Sequence, residues 1–418
     1  MDYNNSVKWV FGLIDSKPPG KSVHRMEKLM KTLENPEKKF RSVLVGGSSG
    51  KGSTCAILAS ILRASGYKTG LSTKPHFYDV RERIRVNGKA MEKKKFAELA
   101  TTVRNATYRN RLKITYFEAI KAIAFLYFQN TDVAVVEVGM GGRWDSTNVL
   151  SPLASIVTNV HLEHTEILGK TKAEIARVKA GIAKSNGVFI TSESDGEVTR
   201  IFRKECKMKG SRFIDAKKAS GKNGKAKITF NKKSFYASFP LLGKHQLQNM
   251  SCALSAIETL RSMGFSIGKA SIKRGLANVR WPGRMEVMQK NPLVILDCAK
   301  EPFAAKTLSD EIQKMKRQVI CVLSISDDKD IEKIVRNLST PDFFIICRHG
   351  VGGRAADPVR IAKIASRLGK GFIIIDDVQE AVRGAIALSG NADIVLVTGS
   401  VFTVGEARKL WKKDLNYI

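Results

Sequence analysis

Long apolar runs, paired cysteines and acidic residues are scarce in this chain of 418 residues. No apolar run approaches the roughly 20 residues that a membrane-spanning helix needs, so we expect no transmembrane segment. The amino terminus has a short apolar stretch but no basic lead, so we expect no secretory signal peptide. The six cysteines are scattered and form no CxxC pair, which argues against a disulfide framework and favours free thiols in the cytoplasm.

The shortage of acidic residues leaves the chain strongly basic, with 71 Lys and Arg against 39 Asp and Glu and a net charge of +32. Such a charge suits anionic partners such as nucleotides, polycarboxylates or nucleic acids. The basic residues are spread along the chain, with short clusters at 92–95 and 216–233, and no nucleic-acid-binding module is recognisable. We therefore interpret the charge as a solvated basic surface and expect no nucleic-acid partner.

Apolar strands and helices alternate in the first part of the chain. Continuously apolar stretches, typical of parallel strands buried on both faces, occur at 41–47, 132–139, 154–160 and 187–191. Stretches predicted to be helical lie at 53–66, 112–128 and 171–183. Thr171 and Glu174 predict a capping box at the start of the last of these helices. The segment 225–239 predicts a hairpin with its turn near Asn231.

A second alternating series follows the segment RWPGR at 280–284. Its predicted strands are 293–297, 318–323, 342–347, 371–375 and 393–398. Its predicted helices lie near 302–316, 328–337, 357–369, 377–390 and 402–413. Because the chain is too long for one ordinary core, we predict two α/β domains. The first, 1–284, is a P-loop-type doubly wound domain, and the second, 285–418, is a smaller Rossmann-like domain.

A glycine-rich loop between a buried strand and a helix predicts a phosphate-binding site. Its backbone N–H groups and the Lys51 ammonium can hold phosphate oxygens, and a following hydroxyl can reach Mg²⁺. The strict GxxxxGK[ST] pattern fails, because Val45 takes the place of the first glycine and Gly52 follows Lys51. A mobile Gly/Ser loop is the alternative, but the strand–loop–helix context favours nucleotide binding. The predicted nucleotide-binding residues are Gly47, Ser48, Ser49, Gly50, Lys51, Gly52, Ser53 and Thr54.

Two further side chains are candidates for a metal site. Glu137 ends a predicted strand and is followed by a glycine-rich loop, and His164 comes just after the next predicted strand. A carboxylate at the carboxyl end of a parallel strand, close to a phosphate loop, is well placed to hold Mg²⁺. A lone histidine is more often structural, but together with Glu137 and the phosphate loop a metal role is the better interpretation.

Nine segments together resemble the folylpolyglutamate synthase / dihydrofolate synthase family of the Mur ligase superfamily. They follow in the same order over nearly the whole chain, and their combination is specific although each piece alone is not. The segments are GGSSGKGST, ERIRVNG, TYFEAIKAIAFLYF, EVGMGGRWDSTNV, HLEHTEILGKT, KAGI, LLGKHQLQNMSCAL, VRWPGRMEV and VTGSVFTVGEAR. The resemblance implies a first domain like the central domain of the Mur ligases and a second domain that serves glutamate ligation.

The resemblance also implies a reaction and a set of residue roles in the first domain. Enzymes of this family use ATP to convert a carboxylate to an acyl phosphate, which the amine of glutamate then attacks. Lys51 and its loop would hold the phosphates, and Ser53, Glu137 and His164 would hold Mg²⁺. Lys179 matches a lysine that is usually carbamylated in the superfamily, where a carbamate oxygen replaces an ammonium that Mg²⁺ would repel.

Four more residues gain roles by the same resemblance. Asn249 matches a residue at the adenine, and Arg284 would reach the ATP phosphates from the hinge between the domains. Asp297 would face the ribose or the metal-bound phosphate, and Ser400 matches a position associated with the incoming glutamate. For Arg284 and Asp297 the alternative is a structural salt bridge between the domains. Lys51, Lys179, Arg284 and Asp297 are the predicted catalytic residues.

The sequence departs from the family pattern at two sites that carry chemistry. Lys74 replaces a serine that is a Mg²⁺ ligand in the family, and Lys300 and Glu301 replace a histidine and an asparagine. A milder change puts Glu163 where aspartate is usual. We hypothesise that the Lys74 ammonium takes over the charge of one of two Mg²⁺ ions and that Lys300 binds a substrate anion. Glu301 would then pair with Lys300 or recognise a positive group on a different amino acid.

These patterns leave three functional hypotheses. The leading one is an ATP- and Mg²⁺-dependent ligase that adds L-glutamate to a folate or dihydropteroate, acting as a cytoplasmic monomer on small-molecule substrates. The second is a Mur-type ligase with a different acceptor or amino acid, motivated by Lys74, Lys300 and Glu301. The third is a nucleotide-binding paralogue without ligase activity. Against this third reading, the phosphate loop, Glu137, His164 and Lys179 are all present.

Overall fold

The computed structural model describes residues 1–13, 22–216, 219–222, 224–230, 233–351 and 353–411. It divides into two compact units. Within the described residues, the first holds those of Met1–Pro240 and His245–Arg280, and the second holds Leu241–Lys244 and the chain from Trp281 to Trp411. In this division Arg284 belongs to the second unit, and the domain boundary expected after it stays a prediction. Among the described residues, no helix has the length and apolar character needed to cross a membrane.

The first unit is built on a mostly parallel sheet that, within the described residues, has eight strands in the order β4-β3-β2-β5-β1-β6-β7-β8. Only β3 and β4, at one edge, run antiparallel to their neighbours. The strands are β1 Arg41–Gly46, β2 Thr69–Ser72, β3 Ile84–Val86, β4 Lys89–Ala90, β5 Val133–Glu137, β6 Ala154–Val157, β7 Val188–Thr191 and β8 Arg212–Asp215.

A small antiparallel sheet follows in the same unit, with strands β9 Ser220–Lys222, β10 Lys225–Phe230 and β11 Lys233–Ser238. The pairing of β10 with β11 confirms the predicted hairpin over 225–239. Asn231, near the predicted turn, lies outside the described residues.

Helices cover both faces of the large sheet, which is why its central strands are continuously apolar. β1, β5 and β6 are buried along almost their whole length, as a parallel sheet between helical layers requires. The helices are α1 Tyr3–Phe11, α2 Ser22–Thr32, α3 Lys51–Ala64, α4 Lys93–Arg109, α5 Tyr116–Phe128, α6 Thr165–Leu168, α7 Lys172–Ala180, α8 Gly196–Met208, α9 Lys244–Ser262 and α10 Lys269–Asn278. Short 3₁₀ turns lie at Pro36–Lys38, Val80–Arg83 and Ser146–Val149.

The capping box predicted for α7 is formed in part, and an unpredicted one occurs at another helix. The Thr171 hydroxyl accepts a hydrogen bond from the Glu174 N–H, as predicted for the start of α7. The Glu174 carboxylate, however, accepts from the N–H of Lys170 and not of Thr171, so the predicted reciprocal box is only half formed. A complete capping box occurs instead at α5, between Thr115 and Glu118. Both caps start helices that carry residues of the candidate site.

The second unit is a Rossmann-like layer structure. Its strands, in the order β12-β13-β17-β14-β15-β16 within the described residues, are parallel except for β12 at the edge. They are β12 Glu286–Gln289, β13 Leu293–Leu296, β14 Val319–Leu323, β15 Phe343–Ile346, β16 Gly371–Ile374 and β17 Ile394–Thr398. The helices are α11 Pro302–Gln313, α12 Ile331–Asn337, α13 Pro358–Arg367, α14 Val378–Leu388 and α15 Val401–Arg408. The predicted α/β class of both units is confirmed.

Candidate active site

The phosphate loop connects β1 to α3, as the sequence predicts. Gly50 caps α3 in a left-handed conformation with φ 79°, and a Cβ atom there would lie 2.0 Å from the Asn249 Oδ1. Only glycine fits this position, because both the backbone conformation and the approach of Asn249 exclude a side chain. The structure therefore brings Asn249, the predicted adenine residue on α9, directly against the phosphate loop. The Asn249 amide also donates to the Gln246 Oε1 at 3.0 Å.

Lys51 folds back over its own loop. Its ammonium donates to the carbonyl oxygens of Gly47 at 2.6 Å and Ser48 at 2.9 Å. The Ser49 N–H donates to the Asn159 Oδ1 at 2.8 Å, which ties the loop to the segment after β6. An ammonium held over a glycine-rich turn between a strand and the N-terminus of a helix is the arrangement expected of a phosphate site.

Ser53 and Thr54 lie in the first turn of α3 and are both buried. The Thr54 hydroxyl is buried without a hydrogen-bond partner among the described residues. The two candidate hydroxyl ligands thus lie at the start of α3, directly after the phosphate loop.

Glu137 lies at the carboxyl end of β5, next to the start of the phosphate loop. It pairs with Val45 in the register of β1 and β5, and its carboxylate is almost fully buried. The Glu137 Oε2 accepts a hydrogen bond from the backbone N–H of Lys74 at 3.0 Å. The structure therefore joins Lys74, the unusual residue, to the predicted metal ligand, although through its backbone.

Lys121 on α5 is a site residue that the sequence reasoning missed. Its ammonium is fully buried and donates to the Ser72 Oγ and to the backbone carbonyl of Glu137, each at 2.9 Å. Burial lowers its pKa to about 8, against the opposing attraction of the Glu137 carboxylate. The signal that could have found it is the single lysine within the mostly apolar stretch YFEAIKAIAFLYF. The carboxyl ends of β2 and β5 therefore carry a built-in positive charge.

Lys179 and Glu163 form the most buried ion pair at this end of the sheet, with Nζ and Oε1 2.6 Å apart. Burial lowers the pKa of Lys179 to about 8, although Glu163 opposes this. Burial alone would raise the pKa of Glu163, but the charges of Lys51 and Lys179 lower it to about 2. Glu163, expected to be only a mild change from aspartate, is thus the partner of the lysine predicted to be carbamylated.

The residues predicted to hold Mg²⁺ fit a divalent cation in their chemistry. A serine hydroxyl and a carboxylate are hard oxygen donors that suit Mg²⁺, whereas an imidazole is a softer ligand. His164 is exposed and caps α6 with a left-handed φ of 46°. Among the described residues, no three His, Cys, Asp or Glu side chains cluster closely enough to hold a metal. The Ser53 hydroxyl, the Glu137 carboxylate and the His164 imidazole therefore stay the predicted protein ligands, with further ligands expected from the nucleotide.

Arg284 and Asp297 lie in the second unit, near the start of its sheet. Asp297 follows β13, and its Oδ2 accepts the N–H of Met285 at 2.8 Å. Met285 has a left-handed φ of 45°, so this bond holds a strained turn. The Arg284 guanidinium donates to the Gly283 carbonyl at 2.9 Å. Asp297 therefore fixes the segment that carries Arg284.

The unusual pair Lys300–Glu301 does not form an ion pair in the described chain. Glu301 pairs instead with Lys329 at 3.1 Å, and Lys329 also contacts Asp328 at 3.0 Å. Burial lowers the pKa of the Lys300 ammonium, and the positive charges of Lys329 and Arg284 lower it further. Two carboxylates, Glu301 and Asp328, thus pair with Lys329, while Lys300 is influenced by the positive charges of Lys329 and Arg284. Such a concentration of cations suits an anionic ligand.

Ser400 lies directly after β17 and caps α15, where its hydroxyl accepts from the Phe402 N–H at 3.2 Å. It is almost completely buried. The structure places it in the second unit together with Arg284, Asp297 and Lys300, and it places Lys51, Glu137, Lys179 and Asn249 in the first.

Comparisons with known proteins match this division. Residues 45–257 match the Mur ligase middle domain, and residues 283–401 match the Mur ligase glutamate ligase domain. The chain is 30% identical over 442 residues to a dihydrofolate synthase/folylpolyglutamate synthase of Bacillus subtilis, covering 98% of this chain and 99% of that protein. It is 34% identical over 434 residues to a probable bifunctional folylpolyglutamate synthase/dihydropteroate synthase of Haloferax volcanii, covering 99% of this chain and 51% of that protein. The chain spans about half the length of its two haloarchaeal relatives.

The fold is also similar to those of solved structures from the same group of proteins. Escherichia coli FolC in complex with DHPP and ADP superposes with a TM-score of 0.87 at 28% identity, covering 98% of this chain and 97% of that one. A bifunctional folylpolyglutamate synthase/dihydrofolate synthase from Yersinia pestis, complexed with AMPPNP and a Mn ion, gives a TM-score of 0.87 at 26% identity, covering 98% of each chain.

Proposed function

Because the chain belongs to the folylpolyglutamate synthase/dihydrofolate synthase family of Mur ligases, we propose that it is an ATP-dependent ligase that joins L-glutamate to the carboxylate of a folate or dihydropteroate. The observation that carries this proposal is the meeting of Lys51, Asn249 and Glu137 at the carboxyl edge of the first sheet. A nucleotide bound at this edge of the sheet would place its phosphates at the phosphate loop between β1 and α3.

The proposed reaction has two displacement steps. An acceptor carboxylate oxygen attacks the γ-phosphorus of ATP, the bond to ADP breaks, and an acyl phosphate forms. The neutral amine of glutamate then attacks the acyl carbon, phosphate leaves with the electrons of the C–O bond, and the amine loses a proton. Neither step needs a covalent bond to the protein, so the side chains have to align the reactants and neutralise their charge.

The charged residues of the first unit supply that neutralisation. We propose that Lys51 leaves its carbonyl partners to contact the ATP phosphates. A bound Mg²⁺ would neutralise phosphate charge, and Ser53, Glu137 and His164 are the residues proposed to hold it. Lys121 keeps Glu137 in place through its backbone carbonyl. Arg284 and Asp297 are also proposed to take part in nucleotide binding.

Lys179 is proposed to accept CO₂ and become a carbamate. The reaction needs an uncharged amine, and the lowered pKa of about 8 leaves a fraction of Lys179 uncharged at neutral pH. A new N–C bond forms and the amine loses a proton. The bond from the Lys179 Nζ to Glu163 has to open for this to occur, so Glu163 would compete with carbamylation.

One contact argues against the alternative hypothesis, in which the ligase uses an amino acid other than glutamate. Glu301 is neutralised by Lys329 and so has less charge to offer a positive group on a substrate. Lys300 remains able to bind an anion, which fits a dicarboxylate such as glutamate.

We further propose that the chain works as a monomer in the cytoplasm. Its six cysteines are all free, buried thiols, as is usual in a reducing compartment. Light scattering on the purified protein tests the first part, and a stable dimer would contradict it. Cell fractionation tests the second part.

Release of inorganic phosphate from ATP tests the proposed activity. Wild type is assayed with dihydropteroate, folate or no acceptor, each combined with L-glutamate or another amino acid. We expect release to require both an acceptor and L-glutamate, and the Lys51→Ala variant to release phosphate far more slowly than wild type. Release without an acceptor, or with another amino acid in preference, would contradict the proposal.

A further inference from the structure

A buried lysine lies at the carboxyl ends of two neighbouring strands of the first sheet. Lys121, in the middle of α5, has no exposed surface. Its ammonium donates to the Ser72 Oγ at the end of β2 and to the Glu137 carbonyl oxygen at the end of β5, each at 2.9 Å. It also lies 5.1 Å from the centre of the Phe117 ring. Burying a charged group costs free energy that an apolar side chain would avoid, so the charge calls for an explanation.

Two buried carboxylates act on this ammonium. Burial lowers the pKa of Lys121, and the charge of Glu137, followed by that of Asp145, opposes this. The Asp145 carboxylate accepts hydrogen bonds from the N–H groups of Met140 and Thr147 and from the Thr147 hydroxyl, so it is committed to its own loop. Glu137 is therefore the carboxylate whose charge Lys121 mainly offsets.

The Lys121 ammonium is held in place by the packing of its helix. Every residue of α5 from Glu118 to Phe125 is buried, and the helix starts with a complete capping box. The Glu118 carboxylate of that box is itself paired with Arg25. Lys51, by contrast, is half-buried and donates to carbonyl oxygens of its own loop. Lys121 is thus a fixed charge of the site, whereas Lys51 can turn towards a ligand.

A fixed positive charge at this place works against a divalent cation at Glu137. The attraction between the carboxylate and Mg²⁺ is offset when an ammonium close by repels the ion. Within the part of the chain that the structure describes, no three His, Cys, Asp or Glu side chains gather to hold a metal. Mg²⁺ that is held by few carboxylates takes its remaining ligands from substrate phosphates and water. The negative charge that the protein lacks here can therefore come from a nucleotide.

We propose that Lys121 is a positioning residue that makes divalent-cation binding at Glu137 conditional on a bound nucleoside triphosphate. The ammonium balances the Glu137 carboxylate, so a free cation gains little from the site before the nucleotide binds. A triphosphate at the phosphate loop supplies negative charge beyond this balance, and the cation then binds together with it. The inference rests on the proposed ligase function, which brings the nucleotide to this loop, and it adds the order in which the ligands bind.

Fastening of the strand ends is the simpler alternative role for Lys121, and the two roles differ in what they require. Fastening needs hydrogen-bond donors, which an uncharged amide also supplies. A charge balance needs the unit charge itself and tolerates the loss of one hydrogen bond. Variants that change the charge and the hydrogen bonds separately therefore distinguish the two roles.

Binding of Mn²⁺ to the full chain without nucleotide, followed by electron paramagnetic resonance of the free ion, tests the inference. Lys121→Met removes the charge at similar side-chain length, and Lys121→Gln removes the charge but keeps an amide donor. Ser72→Ala is the matched control, because it removes one hydrogen bond of the ammonium and keeps its charge. We expect the Kd for Mn²⁺ to fall about tenfold or more in both Lys121 variants, the effect of removing one unit charge close to the ion. The Kd in Ser72→Ala should equal that of wild type.

Two further measurements locate the effect. Adding Glu137→Gln to Lys121→Met should abolish the gain in Mn²⁺ affinity, because the gain requires the Glu137 carboxylate. With AMPPNP bound, wild type should bind Mn²⁺ much more tightly than without it, and Lys121→Met should show a smaller difference between the two Kd values. Thermal melting checks that each variant is folded.

Three results would overturn the inference. The first is an unchanged Mn²⁺ affinity in both Lys121 variants, and the second is an equal gain in Ser72→Ala or a gain that survives Glu137→Gln. The third is a wild type that binds Mn²⁺ equally with and without AMPPNP. None of these measurements involves turnover, so they are independent of the proposed function, which fails if no acceptor supports glutamate-dependent phosphate release. A gain in both Lys121 variants would then still support the charge balance at Glu137.

Discussion

The Nζ of Lys179 lies 2.6 Å from the Oε1 of Glu163, with the lysine side chain 1% exposed and the glutamate side chain 16% exposed. The lysine predicted to carry a carbamate is therefore an ammonium neutralised by a carboxylate of the same unit. Glu163 reaches it from the loop after β6, and Lys179 reaches it from α7. This pair decides both the local stability and the chemistry available to Lys179.

Replacing Glu163 with Gln is expected to destabilise the protein. It leaves a buried ammonium without its charge partner, which costs about 3 kcal/mol in comparable buried pairs. The measurement is urea denaturation at neutral pH. Glu98→Gln, in the exposed pair with Lys95, is the control and should change the free energy of unfolding by less than about 1 kcal/mol.

The destabilisation caused by Glu163→Gln should depend on pH. The pKa of Glu163 is lowered from 4.5 to about 2 in the folded chain, so its stabilisation is present above pH 4.5 and is lost as the pH falls towards 2. The difference in unfolding free energy between wild type and Glu163→Gln should therefore shrink in acid. A difference that stays constant from neutral pH to the acid limit of folding would contradict the assignment.

Carbamylation of Lys179 predicts a new carbon signal. Wild type is incubated with ¹³C-bicarbonate at a pH near the lysine pKa of about 8, where the uncharged amine is abundant. We expect a carbamate resonance in the ¹³C spectrum that Lys179→Met lacks. Glu163→Gln removes the competing carboxylate and also the charge that holds the proton on Lys179, so its signal should be stronger. Equal spectra from wild type and Lys179→Met would exclude the carbamate.

Lys51→Ala should strongly reduce turnover. The ammonium is the charged group of the phosphate loop, and loss of a transition-state donor of this kind typically costs about 10²–10³ in kcat. Lys95→Ala, on the exposed face of α4, is the matched control and should retain wild-type kinetics. Thermal melting of both variants checks that they remain folded. A loss below tenfold in Lys51→Ala would contradict the phosphate role.

The number of bound metal ions tests the hypothesis about Lys74. Its backbone N–H holds the Glu137 carboxylate, so its side chain starts next to the predicted metal ligand. We expect one Mn²⁺ per chain in the complex with AMPPNP and a second ion in Lys74→Ser, which adds a hydroxyl ligand. Lys68→Ser, at an exposed position, should bind the same number as wild type. Native mass spectrometry counts the ions, and two ions in wild type would refute the replacement of a metal by lysine.

Glu301→Gln should leave the choice of amino acid unchanged. Glu301 is paired with Lys329 and is partly exposed, so its loss should change stability by no more than about 1 kcal/mol. The measurement is phosphate release with L-glutamate and with lysine or ornithine as competitors. A switch towards the basic amino acids, or a loss of one that wild type accepts, would show that Glu301 reads the substrate.

Elements that are buried on both faces were predictable from the sequence. The strands at 41–47 and 132–139 are continuously apolar because helices cover both faces of the sheet, and the structure has them as β1 and β5. The short strands β3, β4 and β12, at or next to the sheet edges, gave no such signal, because they have only two to four residues and carry charged side chains such as Arg85 and Glu286. The order of the strands could not be predicted, because strand pairing joins residues that are far apart in the chain.

Contacts between residues that are far apart in the sequence could not be predicted either. The phosphate loop was predictable because its residues are contiguous, but the approach of Asn249 to Gly50 depends on the packing of α9. Pairing with its neighbour Lys300 was one of the two roles predicted for Glu301, yet the fold supplies Lys329 from the loop before α12. Lys121 was hidden because helical periodicity assigns its position to the core.

Mass spectrometry of the reaction product tests the central claim most directly. Wild type is incubated with ATP, Mg²⁺, L-glutamate and either dihydropteroate or folate. The proposed ligase predicts a product that is heavier than the acceptor by one glutamyl residue or more, formed together with ADP and phosphate. Hydrolysis of ATP without such a product, or a product that carries a different amino acid, would contradict the claim.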